Sequence, residues 1–202
     1  GSNSFRLQIC RNDNGQLLVL DSIKEVVRLG AGLDEDKFLT ESAQKRALDC
    51  LARFAERLRD FPPEQVRVVA TNTFRVAKNA KEFTKKAQEV LGFPIDIIAG
   101  REEARLIYVG VAHTLPVTDE RRLVIDIGGG STEFIIGQQL KTIVTESLPL
   151  GCVSYTMRYF PKEKVDKENL EMAILAARNE IQRIAPLLRS EGWQIAVGTS
   201  GS

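Results

Sequence analysis

The sequence predicts an α/β protein, and three observations carry that prediction. Short runs rich in β-branched residues alternate with stretches of helical apolar periodicity, the pattern of a sheet covered by helices. Two strand–turn–strand segments each follow a loop of glycine and serine, "GSNS" at 1–4 and "GGGSTE" at 128–133. Between the halves lies "TLPVTDERR" (114–122), a polar proline-containing link. The expected organisation is a first domain over residues 1–117 and a second over 118–202.

The elements follow in order. "SFRLQICRND" and "QLLVLDSIKEVV" read as two strands joined at Asn14-Gly15, a strong hairpin signal. Thr40 to Asp60 reads as a long amphipathic helix. Its residues Ala43, Ala47, Leu51, Phe54 and Leu58 recur at helical spacing, Thr40-Glu41-Ser42 supplies a cap, and Pro62-Pro63 ends it. "VRVVAT" (66–71) and "PIDIIAG" (94–100) read as strands, and "EFTKKAQEVLG" between them as a helix stopped by Gly92. Arg101 to Val111 is expected as a helix. "LVIDIGGGSTEFIIGQQLKTIVTESLPL" holds a strand, a glycine turn, a second strand and a third near Lys141 to Ser147. A short helix near Val153 to Phe160, one long helix over Lys167 to Glu191 and a last strand in "WQIAVGTSGS" complete the reading.

Composition excludes several classes. Among 202 residues, 28 Lys+Arg against 27 Asp+Glu give a formal charge of +1, which is not the global footprint of a nucleic-acid binder. Any polyanion must be held by local groups. The 43% hydrophobic content suffices for a real core. Cys10, Cys50 and Cys152 are widely spaced with no CxxC, so reduced thiols in a cytoplasmic protein are expected. No apolar run approaches the roughly 18 residues of a membrane span, and no signal peptide is visible. The chain starts at Gly1 without Met, and the intact protein is expected to begin earlier.

Four segments carry candidate chemistry. The most specific is "DIGGGSTE" (126–133). Three glycines exceed what a hairpin turn needs, and bare amides in such a turn cradle an anion. Asp126 and Glu133 flank that cradle, and carboxylates beside an anion call for a metal between them. "GSNS" offers a flexible glycine, two hydroxyls and an amide, or simply a turn. "ATNTFRVAKN" (70–79) follows a strand at its C-terminal end, where α/β sheets bind ligands. Arg75 there can fork onto a phosphate, or Thr73 caps a helix and Arg75 is surface. "GREEARLIY" (100–108) places two acids in a first helical turn, which suits the helix dipole or provides a general base for water. No serine–histidine pair is evident, and the single histidine, His113, reads as a helix cap. These segments share strand ends and anion chemistry, which points to metal-dependent phosphate hydrolysis.

These residues resemble the N-terminal part of the exopolyphosphatase and guanosine pentaphosphate phosphatase family. The resemblance rests on "GSNSFRL", "ATNTFR", "REEARLIY", "DIGGGSTE" and "GTSGS", in the family's order, and it covers nearly the whole chain. That family belongs to the actin-like, sugar-kinase and heat-shock ATPase superfamily. The resemblance implies a ribonuclease-H-like fold, one near-complete domain plus part of a second with a cleft between them. It implies a first phosphate loop at Gly1, Ser2, Asn3 and Ser4. It implies a second at Gly128, Gly129, Gly130, Ser131 and Thr132. Arg75 becomes a phosphate contact, Glu103 the catalytic base, and Asp126 and Glu133 the support for Mg2+. The implied reaction removes terminal phosphate from polyphosphate, or the 5′-γ-phosphate from guanosine pentaphosphate, in a protein that can dimerise at full length. The triple glycine leans towards exopolyphosphatase. Family members carry an Asp and its strand before "GSNS" and continue past "GTSGS", so the chain is expected to be a fragment. A kinase or ATPase of the same superfamily and a non-catalytic phosphate or nucleotide sensor are the competing classes.

Overall fold

The computed structural model describes residues 1–14, 16–161 and 164–199. The chain divides into two compact units, Gly1–Ile97 and Ile98–Ser202. In the first unit, β1 (Ser4–Asp13) and β2 (Gln16–Val26) form an antiparallel hairpin. Asn14 takes positive φ at its turn, while Gly15 lies outside the described residues. Helix α1 (Glu41–Leu58) starts where Thr40 accepts from the Ala43 amide at 3.4 Å, as its capping sequence predicts. Strand β3 (Val69–Ala70), short helix α2 (Asn72–Val76), helix α3 (Ala80–Leu91) and strand β4 (Asp96–Ile97) follow. Helix α3 stops on Gly92, whose φ is +81°. The core of this unit gathers Phe5 and Leu29 with the apolar stripes of α1 and α3, Phe54 and Phe83 among them. Strands β3 and β4 pair in parallel over two residues each, shorter than the expected 66–71 and 94–100.

The second unit is a four-stranded sheet between helices. Strands β5 (Arg122–Ile127), β6 (Thr132–Gln138) and β7 (Lys141–Leu148) form an antiparallel meander, and β8 (Ile195–Thr199) lies parallel to β5. The order across the sheet is β7-β6-β5-β8. Helix α4 (Gly100–Thr114), which the sequence reading groups with residues 1–117, packs on β6 and β7. It buries Ala104, Tyr108 and Ala112 against Val124 and Ile135. Complete burial of side chains such as Val124 and Ile135 contributes roughly 2 kcal/mol each. A second core joins Leu123, Phe134 and Ile136 of the sheet to Ile184 and Leu188. Residues alternate between the two faces along each strand, so both faces are apolar and both are covered.

Helix α5 (Cys152–Tyr159) follows the sheet's third strand. The long helix expected over 167–191 is instead two, α6 (Lys167–Gln182) and α7 (Ala185–Glu191). Pro186 explains the correction: it has no amide for the Gln182 carbonyl, and its ring clashes with that carbonyl in a continuous helix. No helix of the described residues is long and apolar enough to cross a membrane. The three cysteines are free thiols.

Candidate active site

The register of the second sheet builds the site. Across β7, β6, β5 and β8 it aligns Thr145, Ile135, Val124 and Val197 in one row. Two residues nearer the glycine loop it aligns Ser147, Glu133, Asp126 and Thr199. Directly opposed residues share a face, and so do residues two apart on a strand. One face therefore carries a largely apolar row beneath α4 and then, at the carboxyl end of β5, a row with only polar side chains. Because Ala104 packs on Val124 and Ile135, the first turn of α4 sits over that end. Glu103 belongs to this turn.

Electrostatics places the three carboxylates together. Glu133 is 1% exposed. Burial pushes its carboxyl up to about 7, and the charge of Glu103 pushes the same way, against the hydroxyls of Ser131 and Ser147. Burial and then Glu103 push Asp126 up to about 6. The Ser147 hydroxyl donates to Glu133 Oε1 at 2.8 Å. Among the described residues, neither Asp126 nor Glu133 has a basic ion-pair partner. Neighbouring Arg101 and Arg105 are committed elsewhere, to Glu146 at 3.0 Å and to Glu102 in a two-pronged pair. One buried acid and one half-buried acid, with a third acid beside them, favour protonation or a cation.

The residues fit magnesium in one particular manner. Magnesium prefers oxygen ligands, keeps several waters, and is held by one or two carboxylates together with substrate phosphates. Asp126 and Glu133 are such a pair. Among the described residues, no cluster of three or more His, Cys, Asp and Glu is placed to hold a metal, so an all-protein cage does not fit.

The glycine loop is held by its carbonyls. The Gly128 amide donates to the Ser131 carbonyl at 2.9 Å. The Gly128 carbonyl accepts from Cys152 at 3.0 Å, and that of Gly129 from Val153 at 2.9 Å and Ser154 at 3.1 Å. These donors are the first amides of α5. Among the described residues, no backbone carbonyl takes the amides of Gly129, Gly130 or Ser131. With the carbonyls turned to α5, those amides are left as hydrogen-bond donors at the loop. Gly151 closes this packing: a Cβ there falls 2.4 Å from the Gly129 carbonyl and the Gly130 Cα. The Thr132 hydroxyl donates to the Leu150 carbonyl and ties the loop's exit to the same segment.

The first unit holds the other predicted residues. The Ser2 carbonyl accepts from the Gly30 amide at 2.8 Å, and that of Asn3 from Arg28 at 2.7 Å. Thr73 does not cap its helix; Thr71 occupies that place. Thr73 is 1% exposed, and its hydroxyl donates to Ser2 Oγ at 2.7 Å. Gly1 precedes this loop, Ser4 begins β1, and Arg75 lies half-buried in the last turn of α2. Of "GTSGS", Gly198 and Thr199 end β8, and residues 200–202 lie outside the described residues. His113 stands in the last turn of α4. The sequence reading missed Ser147 and Gly151. Only the strand register reveals the first and only the loop packing the second.

The Ppx/GppA phosphatase family model matches residues 8–202. The chain belongs to this family. An exopolyphosphatase from Cytophaga hutchinsonii is similar, at 28% identity and a TM-score of 0.89 over 100% of this chain and 64% of its own. The Aquifex aeolicus PPX-GPPA enzyme is 29% identical, at a TM-score of 0.75 over 98% of this chain and 64% of its own. The chain thus spans a little under two thirds of these Ppx/GppA relatives. A structure of the PilM–PilN type IV pilus biogenesis complex matches 100% of this chain and 79% of its own. At 12% identity and a TM-score of 0.64 it shares the fold alone. The mixed α/β, ribonuclease-H-like fold of the actin-like ATPases is therefore the fold of this Ppx/GppA chain.

Proposed function

We propose that the full-length protein hydrolyses terminal phosphoanhydride bonds of inorganic polyphosphate and releases orthophosphate. The observation that carries this reading is the polar row. It sets Asp126 and Glu133 side by side at the mouth of a glycine loop, with Glu103 over them in the first turn of α4. Magnesium held through Asp126 and Glu133 would offset the charge of the phosphate oxygens. The amides of Gly129, Gly130 and Ser131 donate to the terminal phosphate. The Glu103 carboxylate takes a proton from water, the water oxygen bonds to the terminal phosphorus, and the bridging P–O bond breaks. The products are orthophosphate and a chain one phosphate shorter.

A water-activating carboxylate favours hydrolysis over phosphoryl transfer to another substrate and over a sensor without turnover. The likeness to an exopolyphosphatase from Cytophaga hutchinsonii and the triple glycine favour polyphosphate over guanosine pentaphosphate. Phosphate release by the full-length protein, with magnesium and each substrate in turn, tests the reading. Polyphosphate is expected to be the better substrate, and Glu103→Gln is expected to lower kcat by roughly 100-fold or more with KM little changed. Preferential release from guanosine pentaphosphate overturns the substrate. Full turnover by Glu103→Gln overturns the base.

A further inference from the structure

Glu133 lies on β6 between two neighbours in register, Asp126 on β5 and Ser147 on β7. Its Oε1 is taken by the Ser147 hydroxyl at 2.8 Å, while Ser131 acts on the same carboxylate from the loop. A serine hydroxyl has one proton to donate, and Ser147 has spent it on Glu133. This neighbour depends on a β-bulge. From the hairpin turn, Gln138 pairs with Lys141 and Gly137 with Thr142, but Ile136 pairs with Val144. Had the register run on without the shift, Glu133 would face Glu146. The extra residue brings Ser147 opposite instead, and bulges beside active sites commonly re-aim a side chain in this way. Glu146 is left to pair with Arg101 at 3.0 Å.

We propose that Ser147 is a positioning residue for the divalent-cation site: its hydroxyl fixes the Glu133 carboxylate so that the second oxygen is presented beside Asp126. Ser147 touches neither substrate nor metal and acts through Glu133 alone. The proposal rests on the assignment of Asp126 and Glu133 to the cation. Without the hydroxyl the buried carboxylate loses its anchor and turns among several orientations, of which only some meet the ion. Outer partners of metal ligands typically contribute about 10- to 100-fold in affinity.

Mn2+ is the probe. The fall of the free Mn2+ electron paramagnetic resonance signal gives its affinity for the chain, and Mg2+ competes it off. Ser147→Ala is expected to weaken Mn2+ binding about tenfold or more, and Ser147→Thr, which restores a hydroxyl, to stay within about threefold of the parent. Ser147→Cys keeps the size with a poorer donor and is expected to fall between. It replaces the alanine variant should circular dichroism show that variant unfolded. Glu133→Gln is expected to abolish binding. Parent-like affinity in Ser147→Ala or Ser147→Cys, with binding lost in Glu133→Gln, overturns the role of Ser147 and leaves the cation site standing. Parent-like affinity in Glu133→Gln, or no binding by the parent chain, overturns the cation site and this proposal with it.

Discussion

Protonation of Glu133 is coupled to folding, because its carboxyl is almost wholly removed from water. In the folded chain it is pushed up to about 7, by burial first and by Glu103 second. An unfolded chain gives up that proton at about pH 4.3. The stabilisation is therefore fully present below the unfolded value and is lost as pH rises through about 7. Asp126, pushed up to about 6, acts in the same direction over a lower window. A tenfold change in proton affinity corresponds to about 1.4 kcal/mol, so Glu133 alone costs the metal-free fold on the order of 4 kcal/mol once ionised. Urea denaturation without metal is expected to show lower stability at about pH 8 than at about pH 5, and Glu133→Gln is expected to flatten that slope. Equal slopes in parent and variant would show that Glu133 ionises freely in the fold. The candidate carboxylates were legible in the sequence because acids beside a triple glycine are unusual. The residue that holds Glu133 was not, because Ser147 lies fourteen positions away and a bulge sets its register.

At the scale of elements, local chemistry was the legible part. The Thr40 cap, the Gly92 stop and the apolar stripe of α1 each follow from adjacent residues. The division between α6 and α7 follows from Pro186, a signal present in the sequence that the expectation of one helix over Lys167 to Glu191 passes over. The packing of α5 on the glycine loop depends on non-local approach and leaves no periodic trace. Two glycines test that distinction with opposite signs. Gly151 has no room for a methyl group, since a Cβ lies 2.4 Å from the loop's backbone. Gly110, on an exposed face of α4, has nothing within 4 Å of its missing Cβ. Gly151→Ala is expected to destabilise the chain by about 1–3 kcal/mol through overpacking. Gly110→Ala is expected to stabilise it by roughly 0.5–1 kcal/mol by favouring the helix. Chemical denaturation of the two variants reads both. A neutral Gly151→Ala would mean that the loop is free to move away from α5.

Over the whole molecule the charge is balanced, and any anionic substrate has to be recognised locally. A formal charge of +1 across 202 residues provides no general attraction for a polyanion. The arginines near the carboxylates are engaged, Arg101 with Glu146 and Arg105 with Glu102. Double-stranded DNA presents regular phosphates but no terminal phosphoanhydride, and non-specific binding to it rests on released counterions. At physiological salt the chain is expected to leave the fluorescence anisotropy of a labelled duplex unchanged up to protein concentrations of about 10 μM. Binding in the low micromolar range that collapses as salt is raised would reveal a basic surface instead. It would move the recognition of polyanions from the glycine loop and its carboxylates to the protein's general field, where chain length rather than a terminal phosphate decides what is bound.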